Sequence, residues 1–152
     1  MLGQLSHETE VKVGAGKAWE LYGTLKLVLL AKQEFSHTIC DVLEGDGGVG
    51  TVIKLNFGSL SYTEKYAKVD HERRVKETEA IEGGFLDMGL SLYRLRFEVI
   101  GKDEEESCVI KSTIEYEVAD GASFDVSIIS IKQLADMAEV AKKHLTASAS
   151  AK

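Results

Sequence analysis

Four side chains able to take part in acid–base chemistry or hydrogen bonding alternate along one predicted strand. They are Tyr62, Glu64, Tyr66 and Lys68. Because successive strand residues point to opposite faces of a sheet, this spacing places all four on one face. If that face borders a hollow, its aromatic surroundings would desolvate Glu64 and raise its pKa, so that it exchanges protons near neutral pH. The alternative is an edge strand with amphipathic tyrosines and a solvent-exposed glutamate.

Lys76 is a second candidate and lies on the next predicted strand. It shares a strand face with Thr78 and Ala80, which are small and uncharged. A lysine that points inward among such neighbours has a lowered pKa and can act as a base or an amine nucleophile. A solvated side chain is the other interpretation, since most lysines are exposed.

The remaining residues with reactive side chains form no recognisable site. Asp87 interrupts an apolar segment, and we expect a hydrogen-bonding residue beside a turn rather than a site carboxylate. Cys40 and Cys108 fit no metal spacing and are too few for a disulfide framework, so we expect two reduced, buried thiols. The histidines also lack ligand spacing; they are His7, His37, His71 and His144. We therefore predict no metal site and no cofactor.

The segment Glu44–Thr51 is rich in glycine and reads Glu-Gly-Asp-Gly-Gly-Val-Gly-Thr. A phosphate-binding loop would end in Gly-Lys-Ser/Thr and lead into a helix, whereas strand-like residues follow here. We therefore predict a structural glycine hairpin at this position.

Length and composition indicate an ordinary globular domain. The chain has 152 residues, 44% of them hydrophobic and 28% charged, which excludes a disordered protein. Its net charge of −7 argues against a nucleic-acid or anionic-membrane partner. The start of the chain lacks a secretory signal, and the longest apolar run, Leu27–Ala31, is too short to span a bilayer. We expect one cytoplasmic domain over residues 1–152, as a monomer or homodimer.

The periodicity of hydrophobic residues predicts the elements that must position these side chains. Strands are predicted at Leu5–Val13, His37–Leu43, Thr51–Phe57, Tyr62–Val69, Arg73–Ile81, Phe85–Ile100 and Ser107–Val118. Helices are predicted at Ala15–Gly23, Thr24–Glu34 and Phe124–Leu145, with a frayed tail over Thr146–Lys152.

This order of elements predicts an α+β fold. Six successive strands with short connections should form an antiparallel meander, with the first strand paired at an edge. The long helix must bury its apolar stripe against the sheet, since no other large surface is available. A seven-stranded sheet curled around one helix can leave a hollow between them, with glycine pairs allowing the strands to bend.

Several stretches in this order resemble the pathogenesis-related, birch-pollen-allergen-like family of plant proteins. They are Glu44–Thr51, Lys68–Arg73, Ile81–Gly89 and Val109–Tyr116. The chain is most similar to the norcoclaurine synthase and norbelladine synthase branch, over about residues 5–145. The resemblance implies the helix-grip fold, a curved seven-stranded antiparallel sheet around a long C-terminal helix with two short helices, enclosing a hydrophobic cavity.

The resemblance also implies a reaction and the residues that carry it. Norcoclaurine synthases condense dopamine with an arylacetaldehyde and close the ring by a Pictet–Spengler step, whereas norbelladine synthases join tyramine and a dihydroxybenzaldehyde into an imine. The family's tyrosine and glutamate match Tyr62 and Glu64, and its lysine matches Lys76. Lys76 would deprotonate or orient a phenolic hydroxyl, Glu64 would shuttle the proton as water leaves, and Tyr62 would hold the amine or aldehyde.

One position departs from the norcoclaurine synthases. Their aspartate, further along the strand after Glu-Gly-Gly, falls on Leu95 here. The departure favours an imine-forming condensation over ring closure. It also keeps open a second class of function, a non-catalytic carrier of a hydrophobic plant metabolite or hormone in the same cavity.

Overall fold

The computed structural model describes residues 2–35, 38–57, 60–102 and 104–150. Its strands are β1 (Leu2–Val11), β2 (Thr38–Glu44), β3 (Val52–Phe57), β4 (Leu60–Asp70), β5 (Val75–Gly83), β6 (Leu90–Ile100) and β7 (Cys108–Val118). Its helices are α1 (Ala15–Tyr22), α2 (Lys26–Glu34) and α3 (Lys132–Ser150), with 3-10 turns at Gly84–Met88 and Val126–Ile128. The predicted start of the second strand, His37, lies outside the described residues.

The strands form one antiparallel sheet in the order β1-β7-β6-β5-β4-β3-β2. Strands β2 to β7 follow one another as a meander, because each short connection returns the chain beside the strand it has just left. β1 pairs with β7 along its whole length, from Leu2 opposite Glu117 to Val11 opposite Cys108. The predicted meander, with the first strand at an edge, is confirmed.

The hydrophobic core lies between one face of the sheet, the inner face, and the helices. Alternate residues of β7 point inward and are buried, among them Ile110 and Ile114, as the period of two predicts. Helix α3 contributes Met137, Ala138, Ala141 and Leu145 to the same core. The long helix therefore covers the inner face, which confirms the predicted arrangement of helix and sheet.

The segment before β6 differs from its predicted form. We expected one strand over Phe85–Ile100, but Gly84–Met88 is a 3-10 turn and β6 begins at Leu90. The glycines at both ends, Gly84 at φ 57° and Gly89 at φ 125°, adopt backbone conformations that other residues rarely take. They fold the apolar segment into a turn, which periodicity alone does not distinguish from a strand.

The long helix also begins later than predicted, at Lys132 rather than Phe124. The carboxylate of Asp125 accepts hydrogen bonds from the backbone N–H and the hydroxyl of Ser127, at 3.0 and 2.7 Å. The hydroxyl of Ser130 accepts from the backbone N–H of Lys132 at 3.1 Å, as at a helix start. These local hydrogen bonds compete with helical ones, so the helical spacing of the apolar residues does not extend the helix back to Phe124.

Helix α3 continues into the segment predicted as a frayed tail and ends at Ser150. Alanine has the strongest helix propensity, and the hydroxyl of Thr146 donates to the backbone carbonyl of Lys142 at 2.8 Å. These features continue the helix beyond Leu145.

An ion-pair network on the outer face links three neighbouring strands, β5, β6 and β7. Arg96 on β6 pairs through Nε with Glu77 on β5 at 2.8 Å, and through Nη2 with Glu115 on β7. Arg94 bridges Glu79 and the same Glu115, at 3.5 and 3.4 Å. The network links β5 to β6, and β5 carries part of the site described below.

Within the described ranges, no helix combines the length and the hydropathy needed to cross a bilayer.

Candidate active site

Strand β4 presents three neighbouring polar and aromatic side chains to the inner face. Tyr62, Glu64 and Tyr66 are all buried, and Glu64 is only 7% exposed. The strand pairs with β3 on one side and β5 on the other, so it is interior to the sheet. The alternative of an edge strand with an exposed glutamate therefore does not hold.

The expected alternation fails at Lys68, which we predicted on the same face. A β-bulge follows Tyr66, because Tyr66 lies opposite Thr78 while Lys68 lies opposite the adjacent Glu77. Ala67 is the extra residue, and it reverses the sense in which the following side chains point. Lys68 is exposed and does not reach the inner face.

Strand β5 supplies the other half of the site. Lys76 and Thr78 point to the inner face and are 2% and 1% exposed. Their partners on β6 are Phe97 and Leu95 respectively, so Lys76 lies in the middle of the sheet. The interpretation of Lys76 as a solvated side chain is therefore excluded.

Glu64 and Thr78 are joined directly. The hydroxyl of Thr78 donates a hydrogen bond to Oε2 of Glu64 at 2.9 Å. Burial raises the pKa of Glu64 to about 6, although the Thr78 hydrogen bond and the charge of Lys76 both act to lower it. Desolvation therefore outweighs the two groups that favour the carboxylate, and Glu64 titrates close to neutral pH.

Burial shifts the pKa of Lys76 in the opposite direction. Burial lowers its pKa to about 8, against the opposing influence of Glu64 and, more weakly, of Cys40. Nζ lies over the ring of Tyr66 at 4.9 Å from its centroid and over the ring of Phe97 at 5.4 Å. The site thus holds a carboxyl group and an amine that both change charge within about two pH units of neutrality.

Tyr62 is positioned by two glycines that begin the 3-10 turn. A Cβ on Gly84 would lie 2.9 Å from Cβ of Tyr62, and one on Gly83 would lie 2.7 Å from the carbonyl oxygen of Ser61. Glycine therefore lets the turn approach β4 closely. Burial and the nearby Glu64 raise the pKa of Tyr62 well above its ordinary value, so its hydroxyl stays protonated.

These side chains line a cavity of about 610 Å³ between the sheet, α2 and the start of α3. This size lies within the range of small-molecule sites, about 300–1,000 Å³. Apolar residues such as Leu27, Val28 and Leu55 form much of the wall. Exposed lining residues occur where α3 begins, at Lys132 and Gln133, so the cavity opens to solvent there.

Sequence reasoning missed three contributions to this cavity. Tyr93 lines it from β6 and meets the ring of Tyr62 edge-on, with 6.0 Å between centroids. The thiol of Cys40 lines it from β2, and burial raises its pKa to about 12. Thr78 was expected only as a small neighbour, yet it donates to Glu64. The period-two pattern that places Leu95 on the inner face also places Tyr93 there, so that signal was available.

Two other predicted features lie outside the cavity. Asp87 is exposed within the 3-10 turn, so it is not a site carboxylate. The Glu44–Thr51 segment connects β2 and β3 as a hairpin, which confirms its structural interpretation. Within it, the hydroxyl of Thr51 accepts from the backbone N–H of Gly47 at 2.9 Å and donates to the carbonyl of Gly48 at 2.7 Å.

The described part of the chain contains no cluster of side chains suited to a metal ion. No three His, Cys, Asp or Glu side chains there come together in a way that could hold a metal ion.

A long helix across a seven-stranded antiparallel sheet, with a buried carboxyl and a buried amine in the cavity between them, defines a helix-grip cavity protein. The fold matches the expectation from the sequence. The chain belongs to the Pathogenesis-related protein Bet v 1 family, whose model matches residues 1–147.

Two curated relatives are enzymes by name. The norbelladine synthase of Narcissus pseudonarcissus is 44% identical over 125 residues, which cover 78% of this chain and 76% of that protein. The S-norcoclaurine synthase 1 of Papaver somniferum is 38% identical over 145 residues, covering 90% of this chain. The matched region spans 62% of the poppy enzyme's length.

Solved structures of the norcoclaurine synthase of Thalictrum flavum share the fold over nearly the whole chain. A point mutant in complex with a transition-state analogue has a TM-score of 0.87 and 32% identity, covering 97% of this chain and 96% of that one. A complex with dopamine and hydroxybenzaldehyde has a TM-score of 0.81 and 33% identity, covering 96% and 87% of the two chains.

Proposed function

We propose that this protein condenses an aromatic amine with an aromatic aldehyde to give an imine, with Tyr62, Glu64 and Lys76 as its catalytic residues. The observation that carries the proposal is that the buried carboxyl of Glu64 and the buried amine of Lys76 line the same cavity, of about 610 Å³. The relatives named above support it, since they are synthases and one was solved with dopamine and hydroxybenzaldehyde.

The condensation needs a group that both accepts and donates a proton. The amine nitrogen attacks the aldehyde carbon, the C=O π bond opens to an alkoxide, and a proton moves from the nitrogen to that oxygen, which gives a neutral carbinolamine. Protonated Glu64 gives its proton to the carbinolamine oxygen, the C–O bond breaks, and water leaves an iminium ion. The Glu64 carboxylate then takes the iminium N–H proton, which returns the site to its starting state. With a pKa of about 6, roughly a tenth of Glu64 is protonated at pH 7, so both forms are populated.

Lys76 and Tyr62 act on the orientation of the substrates. The ammonium of Lys76 holds a phenolic oxygen of one substrate and can exchange a proton with it, because its pKa of about 8 is close to neutrality. The Tyr62 hydroxyl, which stays protonated, holds the amine or the aldehyde oxygen. Placing both partners together in a largely apolar cavity accelerates the bimolecular step by fixing their distance and direction.

Leu95 favours the imine as the product that is released. It lies on β6 opposite Thr78, beside the Thr78–Glu64 hydrogen bond, and offers no second acid there. Ring closure requires a further C–C bond and the loss of an aromatic proton, which a second acid–base group would assist. The cavity supports the first step better than the second.

A carrier role is the less favoured alternative. A carrier of a hydrophobic metabolite needs an apolar cavity but not a buried acid and amine, which cost folding free energy. The relatives reported above are named as synthases, which also favours an enzyme.

The test is a condensation assay with matched variants. Tyramine or dopamine is incubated with an aromatic aldehyde, the imine is trapped with borohydride, and cyclised product is measured in parallel. We expect Lys76→Met and Glu64→Gln to lose most of the rate above buffer, whereas Lys68→Met and Glu82→Gln, at exposed sites on the same two strands, should retain it. No gain over buffer, or full activity in both cavity variants, would overturn the proposal, and tight ligand binding without turnover would support a carrier.

A further inference from the structure

The amine of Lys76 lies between two aromatic rings from the strands on either side of it. Tyr66 on β4 and Phe97 on β6 place their ring centroids 4.9 and 5.4 Å from Nζ. Both distances are within the ~6 Å over which an aromatic face attracts a cation. The three residues therefore form a layer across the middle of the sheet, with the amine at its centre.

The faces of both rings favour the charged form of Lys76. Among the described residues, no hydrogen-bond acceptor or ion-pair partner lies within bonding distance of Nζ. Other titratable groups act on the charge of Lys76 or line the same cavity. They are Glu64 on β4, Cys40 on β2, and Lys132 and Asp136 of α3, which pair with each other at 2.7 Å beside the cavity opening.

The packing behind the rings holds at least one of them in place. Tyr22 of α1 is fully buried and meets the Phe97 ring at 5.7 Å between centroids, with the planes tilted by 51°. Phe97 is also the cross-strand partner of Lys76. Tyr66 is 2% exposed and lies just before the β-bulge at Ala67. The Tyr22 contact and the strand pairing therefore hold the Phe97 ring beside Nζ.

We propose that Tyr66 and Phe97 are positioning residues that hold the Lys76 amine in the cavity and stabilise its ammonium form against desolvation. Their effect on the reaction rests on the proposed function, but their effect on Lys76 does not. A cation–π contact that is removed from water contributes enough to move the titration of Lys76 by about one pH unit per ring.

The test measures the titration of Lys76 directly. Protein labelled with 13C at the lysine ε-carbon is titrated by NMR, and the Lys76 resonance is identified by its absence in Lys76→Met. Tyr66→Leu and Phe97→Leu remove one ring each while keeping an apolar side chain, and Tyr66→Phe keeps the ring but removes the hydroxyl. We expect the midpoint to fall by about one pH unit in either leucine variant and to stay near the wild-type value in Tyr66→Phe.

The result that would overturn the proposal is a midpoint that is unchanged or higher in both leucine variants. A higher titration midpoint would show that water entering the enlarged cavity stabilises the ammonium more than the ring did. An unchanged midpoint would show that the rings only fill space. Circular dichroism establishes whether each variant is folded. Because Tyr66→Leu and Phe97→Leu each remove one ring, the other variant still gives a result if one of them fails to fold.

The same variants separate this inference from the proposed function. If Lys76 titrates lower in the leucine variants and the pH profile of imine formation shifts with it, both stand. If Lys76 shifts but the wild type shows no condensation above buffer, the inference about Lys76 stands and the proposed function fails. If condensation depends on Lys76 but the titration midpoint of Lys76 is unchanged in both leucine variants, the proposed function stands and the inference fails.

Discussion

Replacing Lys76 by methionine should stabilise the protein at neutral pH although it removes a residue of the candidate site. Burial lowers the pKa of Lys76 from 10.5 to about 8, and each unit corresponds to 1.36 kcal/mol, so keeping the charge buried costs about 3 kcal/mol. Methionine is unbranched and of similar length, and it fills the same space without a charge. The variant should therefore gain up to about 3 kcal/mol in the free energy of unfolding.

The sign of the pH dependence follows from which state binds more protons. Between pH 8 and 10.5 the unfolded chain keeps Lys76 protonated while the folded protein has lost that proton. Stability therefore rises with pH across this window. The cost of the buried charge is fully present below pH 8 and absent above pH 10.5, where wild type and variant should differ little.

The assay is urea unfolding followed by tryptophan fluorescence at pH 7 and at about pH 10.5. Wild type, Lys76→Met and Lys68→Met are compared, because Lys68 is exposed and its replacement should change stability by less than about 0.5 kcal/mol. We expect Lys76→Met to exceed wild type by about 3 kcal/mol at pH 7 and the difference to close at the higher pH.

A Lys76→Met variant less stable than wild type at pH 7 would contradict this prediction. That result would mean that the contacts of Nζ, including the two rings, outweigh its desolvation. A gain of the same size at both pH values would also contradict the argument, since it would trace to packing rather than to the buried charge.

Two further predictions concern the groups around Glu64 and Tyr62. Thr78→Val removes the hydrogen bond to Glu64 and should raise the pKa of that carboxyl by about 1–2 units. Because the reaction starts from protonated Glu64, the fall in rate that follows its deprotonation should move to higher pH by the same amount, and Thr78→Ser should leave it in place. Gly84→Ala should lose about 1–3 kcal/mol in urea unfolding, because its Cβ would lie 2.9 Å from Tyr62. Gly121→Ala, at φ 77° with no atom within 4 Å of its Cβ, controls for backbone strain, and an equal loss there would contradict the contact argument.

Much of the fold could be predicted because its signals are local. The alternation in β1 and β7, the change to helical spacing near the C-terminus and the glycine-rich turns each depend on side chains a few residues apart. Short connections then leave little choice but an antiparallel meander. The resemblance of four stretches to one family added the hydrophobic character of the cavity and the catalytic roles of Tyr62, Glu64 and Lys76, and these roles remain proposals.

The predictions failed where local signals compete. Period two continues unbroken through Ala67 in the sequence, but the pairing of β4 with β5 inserts a bulge there and turns Lys68 outward. Apolar residues after Gly84 suit a strand, yet positive φ values at Gly84 and Gly89 make a turn. The side chains of Asp125 and Ser130 accept hydrogen bonds from backbone N–H groups, and α3 begins only at Lys132.

The sequence alone shows which side chains share a face wherever a strand or helix is unbroken, as for Tyr62, Glu64 and Tyr66, because the period of the element sets this. That Glu64 accepts from Thr78 and that Lys76 lies between Tyr66 and Phe97 follows from strand register, which belongs to the folded sheet. The tertiary structure also decided the charges of the site. Desolvation depends on every wall of the cavity at once, and those walls come from elements far apart along the chain.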